Sequence, residues 1–375
     1  MRDLLLAFLS RDWSGLAIAA SVAACGWLVQ AAGAATWLWV PMIAIAAVLA
    51  LGAVRHVLHV SRLVARHPPP GRLVDVGGFR LHVLAEGERP AGRPAVVWFG
   101  GGHASGATMH HLHRALRQET RSILIDRAGT GWSDAGPFPR TTAREADECL
   151  RALEAAGESG PYVLVGHSFG GLLAARMARA RPDLVKSLVL LDATPPDTII
   201  FGPRFGALRE MRRGAWIGGL LRLFGVHQSP LERAQRKSAP QLFEAFEAQI
   251  GEPWRIDQVL AARSRGCFAM ASIFEELSPE GMARCAPDAA VYDGDLGDLP
   301  VLLVAPGDMT DAREQPELGG TGAARMLRGV ARSRERYLAI SSRSRRIVTP
   351  PGTTHVFPNE APEFVVDLVR REVVP

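Results

Sequence analysis

Cysteine is scarce in this chain: Cys25, Cys149, Cys267 and Cys285 are all that 375 residues contain. They lie far apart and follow neither a disulfide framework nor a zinc-ligand spacing, so free thiols in a reducing compartment are expected. Lysine is scarcer still, at 2 against 41 arginines. The formal net charge of +5 is scattered along the chain rather than gathered into a patch, which argues against a nucleic-acid partner. Gly166-x-x-x-Gly170 lacks dinucleotide spacing and no lysine follows it as a P-loop requires, so no cofactor is implied. The longest gap is in charge itself: no charged residue stands between Ser14 and Val54.

At about 1.5 Å per residue, one helix of that length would far exceed a bilayer core of roughly 30 Å. Two spans fit better, about 14–32 and 36–54, with Gly33 at the turn and Trp37 and Trp39 at an interface. Up to residue 70 the charges are Arg2, Arg11, Arg55, Arg62 and Arg66 against Asp3 and Asp12. They flank the outer ends of the hairpin and leave its turn bare. By the positive-inside rule both ends, and the domain that follows, are expected on the cytoplasmic side of the membrane. A cleaved signal peptide is the rival, but its apolar region should be shorter and no second one should follow. The expected organisation is a membrane anchor over residues 1–60, a linker over 61–71 containing His67-Pro-Pro-Pro-Gly71, and one domain over 72–375.

That domain centres on Val163-Leu-Val-Gly166-His167-Ser168-Phe169-Gly170-Gly171, an apolar strand, a G-x-S-x-G turn and an Ala-rich helix. A serine on such a sharp turn projects its hydroxyl above the sheet edge. The Phe169 N–H, at the helix start, would point at an oxygen approaching Ser168. Around it run further strands: a hairpin either side of Gly77-Gly78, then Ala95–Phe99, Ser122–Asp126 and Ser187–Asp192, with a helix over about 142–156. Strands resume at Val301–Ala305 and Arg346–Thr349, and a helix near Glu363–Arg371 closes the chain. Strands alternating with helices predict a mostly parallel sheet covered on both faces. The intervening stretch, about 195–299, reads as a helical cap. Its apolar run Ala215–Phe224 is either packed on the core, a substrate wall, or a face dipping into the bilayer.

Phe99-Gly-Gly-Gly-His103, Asp126-Arg-Ala-Gly-Thr-Gly-Trp-Ser-Asp134, Gly166-His-Ser-Phe-Gly170, Leu188-Val-Leu-Leu-Asp192 and Gly352-Thr-Thr-His355 together resemble the α/β-hydrolase superfamily. The resemblance runs from about residue 72 to the C-terminus and leaves the hairpin outside. It implies an α/β-hydrolase fold, with a mostly parallel eight-stranded sheet and a Ser-acid-His triad. Ser168 is then the nucleophile and His355 the base. The acid is Asp192, at a position similar to that in haloalkane dehalogenases, or Asp311 or Asp308 after the next strand, where Thr310 holds the usual slot. The oxyanion hole would pair the N–H of Phe169 with that of Gly101 or Gly102. The Asp126–Asp134 segment reads as a structural turn. His103, His110, His111 and His113 read as loop and helix-surface residues, with no nearby carboxylate to complete a metal site. The expected activity is a serine hydrolase acting on an ester or similar acyl bond of a hydrophobic small molecule at a lipid bilayer. A proline-iminopeptidase-like peptidase and a non-catalytic tethered scaffold are the alternatives.

Overall fold

The computed structural model describes residues 1–195, 206–228, 233, 237, 240–276, 293–306 and 334–373. Eight strands form one sheet: β1 (Arg72–Asp75), β2 (Arg80–Glu86), β3 (Ala95–Phe99), β4 (Ser122–Asp126), β5 (Tyr162–His167), β6 (Val185–Leu191), β7 (Val301–Ala305) and β8 (Ser344–Val348). Their order is β1-β2-β4-β3-β5-β6-β7-β8. The β1–β2 and β2–β4 pairs are antiparallel and the remaining pairs are parallel. This is the fold that the motifs implied.

The central strands are apolar on both sides because both faces are covered. On β5, Tyr162 and Leu164 join one core with Leu173, Ala174 and Met177 of α6 (Phe169–Ala180) and Cys149 and Leu153 of α5 (Thr142–Ala155). Val163 and Val165 point the other way. There they meet Leu112 and Leu116 of α4 (His110–Leu116) and Val365 and Val369 of α12 (Pro362–Val373). Trp98 of β3 is fully buried on this second face, and its indole N–H is satisfied by Ser122 Oγ at 2.9 Å. Full burial of such side chains stabilises by roughly 1.5–3 kcal/mol each.

Three helices precede the sheet: α1 (Arg2–Leu9), α2 (Ser14–Ala31) and α3 (Thr36–Arg66). With mean hydropathies of 1.5 and 2.2, α2 and α3 are long and apolar enough to cross a membrane. Trp27, Trp37, Val48 and Leu51 stand exposed on them. The second span was expected to stop near 54 and a linker to begin at 61; instead α3 continues to Arg66. The arginines beyond Val54 do not break the helix, because His56, Val60 and Leu63 keep one buried face going. Only the segment from His67 to Gly71 separates α3 from β1.

The described part of the insertion is helical: α7 (Gly206–Leu223), α8 (Pro240–Ile250), α9 (Glu252–Leu260) and α10 (Ser264–Glu276). Ile273 of α10 packs on Phe169 and Leu172 of α6, which sets the cap over the elbow. The run Ala215–Phe224 is packed: Leu223 joins Leu6, Leu9 and Phe268, while Ile217 and Leu220 of the same helix are exposed. Its C-terminal end meets the N-terminal hairpin. A Cβ added at Gly15 or at Gly52 would fall 2.5 Å from the carbonyl oxygens of Leu223 and Phe224 respectively. His227 stacks on His59 at 4.0 Å between ring centroids, and Arg263 pairs with Asp12 at 3.2 Å. Among the described cysteines, Cys25, Cys149 and Cys267 form no disulfide.

Candidate active site

Ser168 sits between β5 and α6 with φ 52° and ψ −122°, a backbone conformation that costs of order 1–3 kcal/mol for a non-glycine residue. Neighbours hold it there. Its N–H donates to Leu191 O at 3.0 Å, and its own carbonyl accepts from Gly171 N at 3.0 Å and Thr194 N at 2.8 Å. The flanking glycines are required by close approach: a Cβ on Gly166 would come 2.3 Å from Gly170 O, and one on Gly170 would come 2.4 Å from Phe99 O.

Thr194 follows the end of β6, so the same contacts bring the acid-bearing turn against the elbow. Asp192 is fully buried with φ 44°, and its N–H donates to Val304 O at 2.9 Å. One carboxylate oxygen is hydrogen-bonded by His355 Nδ1. The other is ion-paired with the Arg334 guanidinium, whose Nε donates to Ala193 O at 2.9 Å. Asp308 and Asp311, the competing acids, lie outside the described residues.

His355 rides on the loop between β8 and the short helix α11 (Phe357–Glu360). The loop is pinned by Thr353 Oγ1 donating to Pro350 O at 2.8 Å and by Thr354, whose N–H and hydroxyl both donate to the Glu360 carboxylate. His167, adjacent to Ser168 in the chain, donates from Nε2 to His355 O at 2.7 Å, and the two rings are 4.7 Å apart. Burial first, then the neighbouring His355, hold His167 down at about 4, so it is a neutral strut at physiological pH. Anchoring Nδ1 of His355 on Asp192 fixes the tautomer that leaves Nε2 free to accept a proton.

Two backbone groups face this corner. Phe169 is the first residue of α6, so its N–H has no intrahelical acceptor. Gly101 lies so close that an added Cβ would be 3.0 Å from Ser168 Cβ and 2.9 Å from His167 Nδ1. Arg127 ties the two segments together. Its guanidinium lies 5.1 Å above the Phe169 ring, donates to the carbonyls of Gly102 and Ala104, and approaches Glu145 at 3.5 Å. A negative charge developing next to Ser168 would lie at the N-terminus of α6, where the helix dipole favours it.

Arg334 and Arg127 escaped the sequence reading. No motif marks Arg334, which is 142 positions from Asp192, and Arg127 was absorbed into a turn assigned as structural. The turn itself does behave so: Asp126 accepts from Gly106 N, Trp132 N and His82 Nδ1. Of the histidines expected on loop and helix surfaces, His110 and His111 are partly buried and the other two are covered. The His103 and His113 side chains are buried, His113 Nε2 lies 2.8 Å from Glu86, and His111 is within 2.8 Å of Pro358 O. Residues distant in the sequence cover them, and one supplies the carboxylate that local spacing did not reveal. No group of three or more potential metal ligands forms among the described residues.

The model of the alpha/beta hydrolase fold family matches residues 94–218. The chain is 29% identical over 160 residues to the uncharacterized protein YbdG of Bacillus subtilis, covering 42% of this chain and 47% of that protein. It is 32% identical over 124 residues to the 2-(acetamidomethylene)succinate hydrolase of Mesorhizobium japonicum, covering 33% of this chain and 43% of that one. It thus spans less than half the length of each of these relatives. Among solved structures, a thermophilic esterase from Thermogutta terrifontis superposes with a TM-score of 0.52 at 23% identity, covering 80% of this chain and 95% of the esterase. That likeness is one of fold. The strand order, the elbow and the family match over residues 94–218 agree on the α/β-hydrolase fold.

Proposed function

We propose that the protein is a membrane-anchored serine hydrolase that cleaves an ester or similar acyl bond of a hydrophobic small molecule through an acyl-enzyme. The observation that carries this reading is the buried Asp192 carboxylate bonded to His355 beside a strained Ser168 elbow. His355 removes the Ser168 proton as Oγ attacks the carbonyl carbon, and the N–H groups of Phe169 and Gly101 hold the oxyanion. His355 then returns the proton to the leaving group, and water attacks the acyl-enzyme by the same route. The name of the Mesorhizobium relative, a hydrolase, supports the reaction class.

The helices α2 and α3 supply the anchor, with their apolar faces outward and the basic residues at their outer ends on the cytoplasmic side. The exposed Ile217 and Leu220 on α7, beside that hairpin, favour an apolar substrate entering from the bilayer side.

A fluorophosphonate probe tests the nucleophile. The full chain in detergent should become labelled and Ser168→Ala should not, with ester turnover falling at least about a thousandfold. Absence of labelling in the wild type would leave a tethered binding protein in place of an enzyme. Faster turnover of aminoacyl amides than of simple esters would instead favour a peptidase.

A further inference from the structure

Away from Ser168, a cavity of about 640 Å³ opens where α1 ends and α2 begins. Arg11, Arg263 and Arg265 line it together with Ser10 and the two carboxylates Asp12 and Asp134. Both carboxylates are engaged elsewhere. Asp12 Oδ2 receives Arg263 at 3.2 Å and its Oδ1 lies 3.5 Å from His56, while Asp134 Oδ2 accepts from the Arg80 N–H at 2.9 Å.

Arg265 is left over. It is 4% exposed, its Nη2 reaches only Gly131 O at 3.3 Å, and its Nε has no hydrogen-bond partner. No described carboxylate forms an ion pair with it. Ser10 Oγ, 5% exposed, and Arg263 Nε also lack partners. Asp12, Asp134 and Asp126 act on Arg265 only at a distance, and buried donors left without hydrogen-bond partners are ordinarily satisfied by a ligand or water. Burial, reinforced by Arg263 beside it, pushes the Arg265 group down to about 9.

The cavity also lies at a defined depth. Ser14 begins the uncharged helix α2, and Trp13, half exposed, stands at its edge, as aromatic side chains do at a membrane interface. The positive end of the α2 dipole faces the same place.

We propose that this cavity binds a phosphate ester anion, with Arg265, Arg263 and Ser10 as its inner donors and Arg11 at its rim. The source is the headgroup of an anionic lipid of the leaflet into which α2 enters. The lipid source rests on the anchored reading above; the arginine cavity does not. Occupied, it would tie the foot of the hairpin to the cap, because Arg263 and Arg265 bracket the start of α10.

The test uses the full chain in an uncharged detergent, offered phosphatidylglycerol or phosphatidylcholine and read by native mass spectrometry. In parallel, its melting temperature is taken in inorganic phosphate and in chloride at matched ionic strength. Phosphatidylglycerol should be retained in preference. Arg265→Gln and Arg11→Gln should each lower that retention by about fivefold, with turnover of a water-soluble ester unchanged. Arg265→Lys, which keeps the charge, should retain most of it. Stabilisation by inorganic phosphate that Arg265→Gln removes, without lipid preference, supports the site with a soluble phosphate as its source. Equal retention of both lipids together with no phosphate effect overturns the proposal. If Arg265→Gln does not fold, Arg11→Gln with Ser10→Ala carries the same comparison. Release of the chain from membranes by alkaline carbonate would sink the anchor reading and leave the phosphate comparison standing.

Discussion

Asp192 has no exposed surface and holds His355 on one carboxylate oxygen and Arg334 on the other. The two partners compete for its negative charge. Arg334 gives this buried carboxylate a second partner besides His355. Replacing it by methionine (Arg334→Met) leaves a buried carboxylate with one partner, which costs about 3 kcal/mol of stability in denaturant titration. Asp192→Asn should lower kcat by about three to four orders of magnitude, because the imidazole loses the acceptor that sets its tautomer. Asp311→Asn should leave kcat within a few fold; an equal loss there would move the acid to the following strand. Ser168, Asp192 and His355 were readable as candidates because turn and strand-end motifs carry them. Arg334 was not, since a buried ion pair depends only on where two distant segments meet.

The cap meets the core through polar groups at the ends of elements. Glu276, the last residue of α10, accepts from the N–H and hydroxyl of Thr142 at 2.7 and 2.8 Å, at the start of α5. It is 4% exposed, and burial raises its carboxyl to about 7 despite those bonds. The folded pKa thus lies above the unfolded one, so the folded form binds the proton more tightly. The associated stability is fully present below about pH 4.5 and is lost as the pH rises through about 7, by about 3 kcal/mol in all. Glu276→Gln should remove this slope. Between pH 5 and 8 the wild-type melting temperature should fall relative to that of the variant by several degrees, as read by calorimetry. A constant difference across that range would show that Glu276 does not change its protonation on unfolding. At this scale helix type and position were readable from periodicity, as with α5, β5 and α12. The extension of α3 to Arg66 was not, because charged residues mark a helix end only when no buried face continues through them.

The foot of the N-terminal hairpin is built into the cap. Leu6, Leu9 and Ile18 pack with Leu223, Trp216 and Phe268, and Arg2 pairs with Glu275. Removing residues 1–66 would expose this apolar cluster and leave Arg263 without Asp12. The truncated chain should melt well below the full-length protein in the same detergent and should aggregate when the detergent is diluted. An unchanged melting temperature would mean that hairpin and cap are independent. The composition already separated an uncharged N-terminal stretch from an α/β domain, and five short motifs in order sufficed for the sheet and the candidate nucleophile, base and acid. Those features are local: turn chemistry, strand pattern and hydropathy act over a few residues and leave their mark in the sequence. The choice of Asp192 as the partner of His355, the arginine cavity and the docking of hairpin on cap all join segments more than a hundred residues apart, and the buried His113 meets Glu86, 27 positions away. Tertiary packing alone decided them, because burial and charge pairing depend on which surfaces come together, and no spacing along the chain encodes that.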